Sequence, residues 1–235
     1  MRAIILLLML VLGTSYSVLL AQPVQVIGAV KQVKKLGQLD GQVQLDTLTG
    51  QNLYGLGPVA HLQGEILLWN DTAYVSEVIG GKGTVKIAPT VQAPFLVYTS
   101  VAKWGGEQII SQPITALDQL QQIVEQLALA AGRSLDEPFP FTLKGKAQKI
   151  TYHVMDKPEE QVEHNPGLHQ KAKRFFTLAD EEVTLLGFYS RHHQGVFTHH
   201  GSFIHVHVIN QAYTKMGHLD KLDIQPSELS LKLPL

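Results

Sequence analysis

The chain contains no cysteine. That excludes a disulfide framework, a thiolate nucleophile and a lipid-modified N-terminal cysteine, so the fold must be stable through its core alone. A surplus of charge is missing too: 19 Lys and Arg against 20 Asp and Glu give a formal net charge of -1, and charged residues make up 17% of the chain. No basic field is left to hold a phosphate backbone, which argues against nucleic acid as a partner. There is no internal repeat and no low-complexity segment. Apolar runs stay well short of the roughly 20 residues that cross a bilayer. Histidine is scarce at first: His61 precedes residue 150 alone, and the rest of the 11 fall between His153 and His218. Any chemistry is therefore expected in the C-terminal half.

What is present begins with an address. Met1 to Ala21 place Arg2 before the apolar run AIILLLMLVLG and then small and polar residues. This pattern reads as a signal peptide cut near Ala21, and it predicts an exported protein with no membrane partner after cleavage. About 214 residues remain, enough for one large domain or two small ones with a sizeable core.

Short β-branched and aromatic segments separated by Gly, Asn and Asp follow: VQVIGAV, GQVQLD, ILLWNDTAYVSEV, TVKIA and FLVYTSVAKW. They read as strands of a sheet. The pattern changes at Ile114, where Leu117, Leu120, Ile123, Val124 and Leu127 recur at helical spacing. This predicts an amphipathic helix of about four turns, with Thr115 as N-cap and Gly132 just past the end. Its apolar stripe is read as core packing. After EPFPF the strand pattern resumes in FTLKGKAQKITYHVM, EVTLLGFYS, GVFTHHGSFIHVHVIN and LDKLDIQ, with a loop from Lys157 to Arg174. The expected fold is α+β: a β-rich domain over residues 22–112 and a C-terminal α/β domain over residues 113–235, with the helix dividing two halves of mixed or antiparallel sheet.

The segment SFIHVHVINQAYTKMGHLD carries His205, His207 and, after ten intervening residues, His218. Residues i and i+2 of a strand share a face, with Cα atoms about 6.5–7 Å apart, so His205 and His207 can serve one ion. The following turn is long enough to bring His218 back on an antiparallel strand. Three protein ligands with an open position suit a catalytic zinc. Spacing alone also admits chance in a histidine-rich segment. In the adjacent pairs His192–His193 and His199–His200, at most one member each could join such a site. A cupin-like site is less suited, because no acidic residue lies between His207 and His218.

Two blocks resemble acetolactate decarboxylases. GLGPVAHLQGEILLWNDTAYV, from Gly55 to Val75, is similar to that family's GLG turn and GE dipeptide, and LLGFYS with HVHVINQAYTKMGHLD resembles its GF strand and H-x-H…GH block. FPFTLKGKAQKITYHV lies between them in the same order. The resemblance implies that His205, His207 and His218 bind Zn2+, that Glu65 is the catalytic proton donor, and that the chain is a homodimer. The implied reaction converts a small 2-hydroxy-3-oxo acid, 2-acetolactate, to acetoin and carbon dioxide.

The sequence also departs from the family. His153 stands where the family has a carboxylate-binding arginine, so His153 or Lys149 is expected to bind the substrate instead. Pro58 replaces a threonine after the GLG turn, and the chain ends at LKLPL without the family's tail glutamate, which Glu228 does not match. These departures leave a second reading, in which a divergent zinc-binding member acts on another oxo acid or only binds a ligand.

Overall fold

A computed structural model describes residues 23–161, 163–227 and 229–235, so the signal-peptide reading of Met1 to Ala21 lies outside the described residues. Among them, no helix is long and apolar enough to cross a membrane. In chain order the elements are β1 (Gln25–Ile27), α1 (Val30–Leu36), β2 (Val43–Gln44), β3 (Leu53–Pro58), β4 (Glu65–Trp69), β5 (Thr72–Ile79) and β6 (Lys82–Ile87). Then come β7 (Gln92–Ala93), β8 (Leu96–Ser100), β9 (Gln108–Ile109), α2 (Leu117–Ala130), β10 (Phe139–Met155) and α3 (Pro166–Lys171). The last are β11 (Lys173–Leu178), β12 (Glu181–Tyr189), β13 (Ile204–Asn210), β14 (Met216–Ile224) and β15 (Ser230–Lys232). The architecture is α+β, with one helix much longer than the others, as the periodicity implied.

Two sheets carry the fold. The first is ordered β1-β8-β3-β4-β5-β6, with all neighbours antiparallel. In the second, β10 pairs with β12 through its first half and with β14 through its second. Because β12 also pairs with β13, and β13 with β14, these four strands close on one another and leave few free edges. The strand β9 joins this second sheet through β15, although it precedes α2 in the chain.

Strand alternation decides what each face meets. On β13, Ile204, Val206 and Val208 enter the core enclosed by the closed strands, where Leu120, Ile123, Val124 and Ala128 of α2 also pack. The alternate face points to the first sheet, and there Ile209 shares a buried cluster with Leu186, Phe188 and Met216 of the second sheet and Leu56, Leu67 and Val97 of the first. The sheets are thus glued face to face by apolar burial, worth about 25 cal/mol per Å² removed from water. His205 and His207 have the parity of Ile209, so they lie in this seam.

Several local readings change. ILLWNDTAYVSEV is a hairpin, β4 and β5, because Asn70 (φ 47°) and Asp71 (φ 68°) form a two-residue turn and Asp71 accepts the N–H groups of Asn52 and Leu53. The N-cap of α2 is Ala116, with no side-chain cap; Thr115 instead donates its N–H to Gln119 Oε1 at 3.0 Å. Gly132 (φ 72°) does end the helix in the left-handed region. The loop after Lys157 contains α3 and leads directly into β11. The strand expected from Gly195 begins only at Ile204, and residues 191–203 form an irregular loop. The helix α1 was not foreseen. Its first N–H groups donate to carbonyls of that loop, Val30 to Val196 at 2.7 Å and Lys31 to Gly195 at 2.9 Å.

Candidate metal centre and active site

Register builds the site. His207 faces His218 across β13 and β14, and His218 faces His153 across β14 and β10. Pairing with β11 then sets Met155 opposite Lys173 and His153 opposite Phe175. All these side chains share the parity that points to the first sheet. From that sheet comes Glu65, the first residue of β4, whose neighbour in register is Pro58. The turn before it holds His61 (φ 58°) and Leu62 (φ 57°) in the left-handed region, a costly conformation that sites tend to retain. Gly64 (φ 153°) completes it, and a Cβ there would stand 2.2 Å from the Ser76 carbonyl oxygen.

The three histidine rings form a triangle, with centroids 5.1 Å apart for His205–His207, 5.0 Å for His205–His218 and 5.5 Å for His207–His218. His205 and His207 are buried and His218 is half-buried. Burial, reinforced by the neighbouring imidazoles, holds all three well below the usual histidine range, to about 3 for His207. They are therefore neutral, the form that ligates. Among the described residues, no hydrogen bond of ordinary geometry reaches His205 Nδ1 or either ring nitrogen of His207 and His218. A buried polar atom left unpaired costs about 1–3 kcal/mol, so a cluster of them needs a purpose. A cation shared among the rings supplies one.

A second donor set overlaps the first at His218: donor atoms of His153, His218 and Asp220 lie within 4.8 Å of one another. Here His153 Nδ1 and Asp220 Oδ2 are already 2.7 Å apart and satisfy each other. A histidine that gives one ring N–H to a carboxylate keeps its other nitrogen free to ligate. The three-histidine set differs from this second set in the number of ring nitrogens that no hydrogen bond reaches among the described residues.

Glu65 faces that set. Its Oε2 is 3.6 Å from His207 Nε2, and its Oε1 is 3.9 Å from His153 Nε2. Burial is the main cause that raises its pKa well above the usual carboxyl range, opposed by Lys173. The structure thus assembles Glu65, His153, His205, His207 and His218. Lys149 is left out: its side chain is exposed, and the residue pairs with Asp223 on the far stretch of β10. The residue the sequence reading missed is Lys173, which lines the same ≈ 40 Å³ cavity as Glu65, His205 and His218. Pro58, Phe95 and Phe197 provide apolar wall.

An α+β fold whose two sheets enclose a buried histidine cluster and a facing carboxyl offers a small shielded cavity with a candidate metal site. The family model for alpha-acetolactate decarboxylase matches residues 29–233, and the chain belongs to that family. It is thus a decarboxylase, a lyase acting on a small molecule, at the level of the family. Among solved structures, it is similar to alpha-acetolactate decarboxylase from Bacillus subtilis strain 168, with 15% identity, a TM-score of 0.75, and coverage of 90% of this chain and 85% of that one. The acetolactate decarboxylase of Bacillus subtilis subspecies spizizenii matches at 15% identity, a TM-score of 0.74 and the same 90% and 85% coverage. A Staphylococcus aureus protein of unknown function, similar to alpha-acetolactate decarboxylase, matches at 15% identity and a TM-score of 0.65 over 85% of this chain and 82% of that chain. At such identity these likenesses speak for the fold. No curated protein matches the sequence.

Proposed function

We propose that the chain is a zinc-dependent decarboxylase that converts 2-acetolactate to acetoin and carbon dioxide. The observation that carries this reading is the set of unpartnered nitrogens on His205, His207 and His218, facing the buried Glu65. Those histidines would hold Zn2+, which when bound supplies Lewis-acid stabilisation of negative charge on the substrate's oxygens. The chain's own residues do the rest. The carbon–carbon bond to the carboxylate breaks, carbon dioxide leaves, and the electron pair moves into the adjacent carbonyl. Glu65, whose protonated form burial favours, delivers its proton to one face of the carbon that lost carbon dioxide and is reprotonated from solvent. His153, with Nδ1 tied to Asp220, presents Nε2 3.9 Å from Glu65 Oε1, from where it would order the carboxyl. That geometry favours a positioning role for His153 over carboxylate binding. Pro58 beside Glu65 helps exclude water.

The leader-like residues Met1 to Ala21 support export, and family resemblance supports a homodimer. The departures at Pro58 and His153 favour one competing reading, action on a different oxo acid or ligand binding alone. The deciding experiment is acetoin formation from racemic 2-acetolactate by the zinc-loaded protein, beside His207→Ala and a no-protein blank. Acetoin well above the blank, lost in the variant with its zinc, is expected. Bound zinc with acetoin at the blank level would overturn the substrate.

A further inference from the structure

Lys173 opens β11 opposite Met155, and its side chain lines the cavity with His153 from its own sheet and Glu65 from the facing one. It is half-buried, yet among the described residues its ammonium group makes no hydrogen bond and no ion pair within 4.0 Å. The carboxyl groups of Asp220 and Glu65 are near enough to feel its charge, but neither contacts it. A cation that has lost part of its hydration without gaining a partner is costly unless an anion arrives. The cavity continues outward into a wider one of ≈ 410 Å³, shared through Val30, Lys173, His199 and His218. That outer space is walled by Lys31, Lys34 and Lys35 of α1, against the single carboxyl of Asp220. Positive charge therefore lines the way in and ends on one unpaired ammonium at the inner cavity.

We propose that Lys173 is a specificity-determining residue: it binds the carboxylate of a small acid whose remaining oxygens face the histidine cluster. This assignment rests on the decarboxylase reading for the substrate's identity, but the anion requirement follows from the cavity itself. An ammonium on a flexible stem can meet a carboxylate from several directions, without the fixed bidentate geometry of an arginine. Acids should bind and their neutral counterparts should not.

The probes are 2-hydroxy-2-methylpropanoate, which retains the hydroxyl and carboxylate but has no ketone, and its uncharged amide. Calorimetric titration of the zinc-loaded wild type should show the acid binding at least tenfold tighter than the amide. Lys173→Met should weaken the acid by tenfold or more and leave the amide within twofold, while Lys173→Arg keeps the preference. Zinc content and thermal unfolding identify a misfolded variant, and Lys173→Gln then carries the same test. An acid preference that survives Lys173→Met overturns the assignment, as does a wild type that does not distinguish the probes. If the acid preference is intact but no acetoin forms, the decarboxylase reading falls and the Lys173 assignment stands. Acetoin formation without acid preference means the reverse.

Discussion

Glu65 Oε2 lies 3.6 Å from His207 Nε2, although β4 and β13 belong to different sheets. The seam between the sheets is thus where the buried Glu65 carboxyl and the candidate metal ligands meet. Glu65→Gln should leave zinc stoichiometry intact and reduce acetoin formation by on the order of 100- to 10,000-fold, the usual range for loss of a general acid. Metal analysis beside initial rates checks it. A variant that keeps full activity would remove Glu65 from the mechanism.

Gly217 stands between Met216 and His218 where β14 passes β10. A Cβ there would lie 2.4 Å from the His153 carbonyl oxygen and 2.6 Å from Tyr152 Cδ2. Gly217→Ala must therefore push the two strands apart and carry His153 away from His218. The expected cost is about 1–3 kcal/mol of stability, as for other overpacked cores, with weaker zinc binding. Urea unfolding and a competitive zinc titration measure both.

The metal-free protein should lose stability as pH falls below the ordinary histidine value. Burial, with His153 second, holds His207 down to about 3, against the ordinary histidine value of 6.5. Between those values the unfolded chain binds a proton that the folded chain refuses, so the contribution is present above 6.5 and lost towards 3. His205 and His218 act in the same direction. Glu65 acts oppositely, since its raised pKa contributes stability that is lost as pH rises through the folded value. Urea midpoints of the metal-free protein should climb from about pH 4.5 to about pH 6.5, and less steeply in His207→Gln. Equal slopes would contradict the buried neutral histidine.

Legibility in the sequence followed the range of the interaction. His205 and His207 could be placed on one face because strand alternation is local, and α2 was visible because its apolar stripe repeats over 14 residues. Glu65 carries no such signal: an acid at the start of a strand is ordinarily solvated, and only the family resemblance singled it out. Lys173 was hidden because its place depends on β11 returning along β10 after α3, a pairing of distant segments. Lys149 looked available because it shares a strand with His153, but the ladder shifts register between Thr151 and Tyr152 and the Lys149 side chain ends on the outside. The helix α1 is only seven residues long and is held by loop carbonyls, so its helicity is tertiary in origin.

Lys149→Ala should accordingly change little. The side chain is exposed and lines none of the site cavity, and such surface changes usually fall within about 0.5 kcal/mol. Activity within about twofold of wild type is expected from the same rate measurement. A large loss would return Lys149 to the site.

Asp220 gives the last test, because it holds His153 by a side-chain hydrogen bond. Its Oδ2 accepts from Nδ1 at 2.7 Å, which fixes the proton of a neutral imidazole on Nδ1 and leaves the Nε2 lone pair 3.9 Å from Glu65 Oε1. Asparagine can offer an amide oxygen or an NH2 group, so Asp220→Asn removes that bias while keeping the shape. The rate should fall by about 10–100-fold, the range for losing the carboxylate partner of a functional histidine. A purely structural role would alter melting and zinc content but not the tautomer. Nitrogen-15 shifts of the His153 ring separate the two: wild type should show a protonated Nδ1 and a bare Nε2, and Asp220→Asn should mix the tautomers. An unchanged ring pattern together with an unchanged rate would deny Asp220 its positioning role.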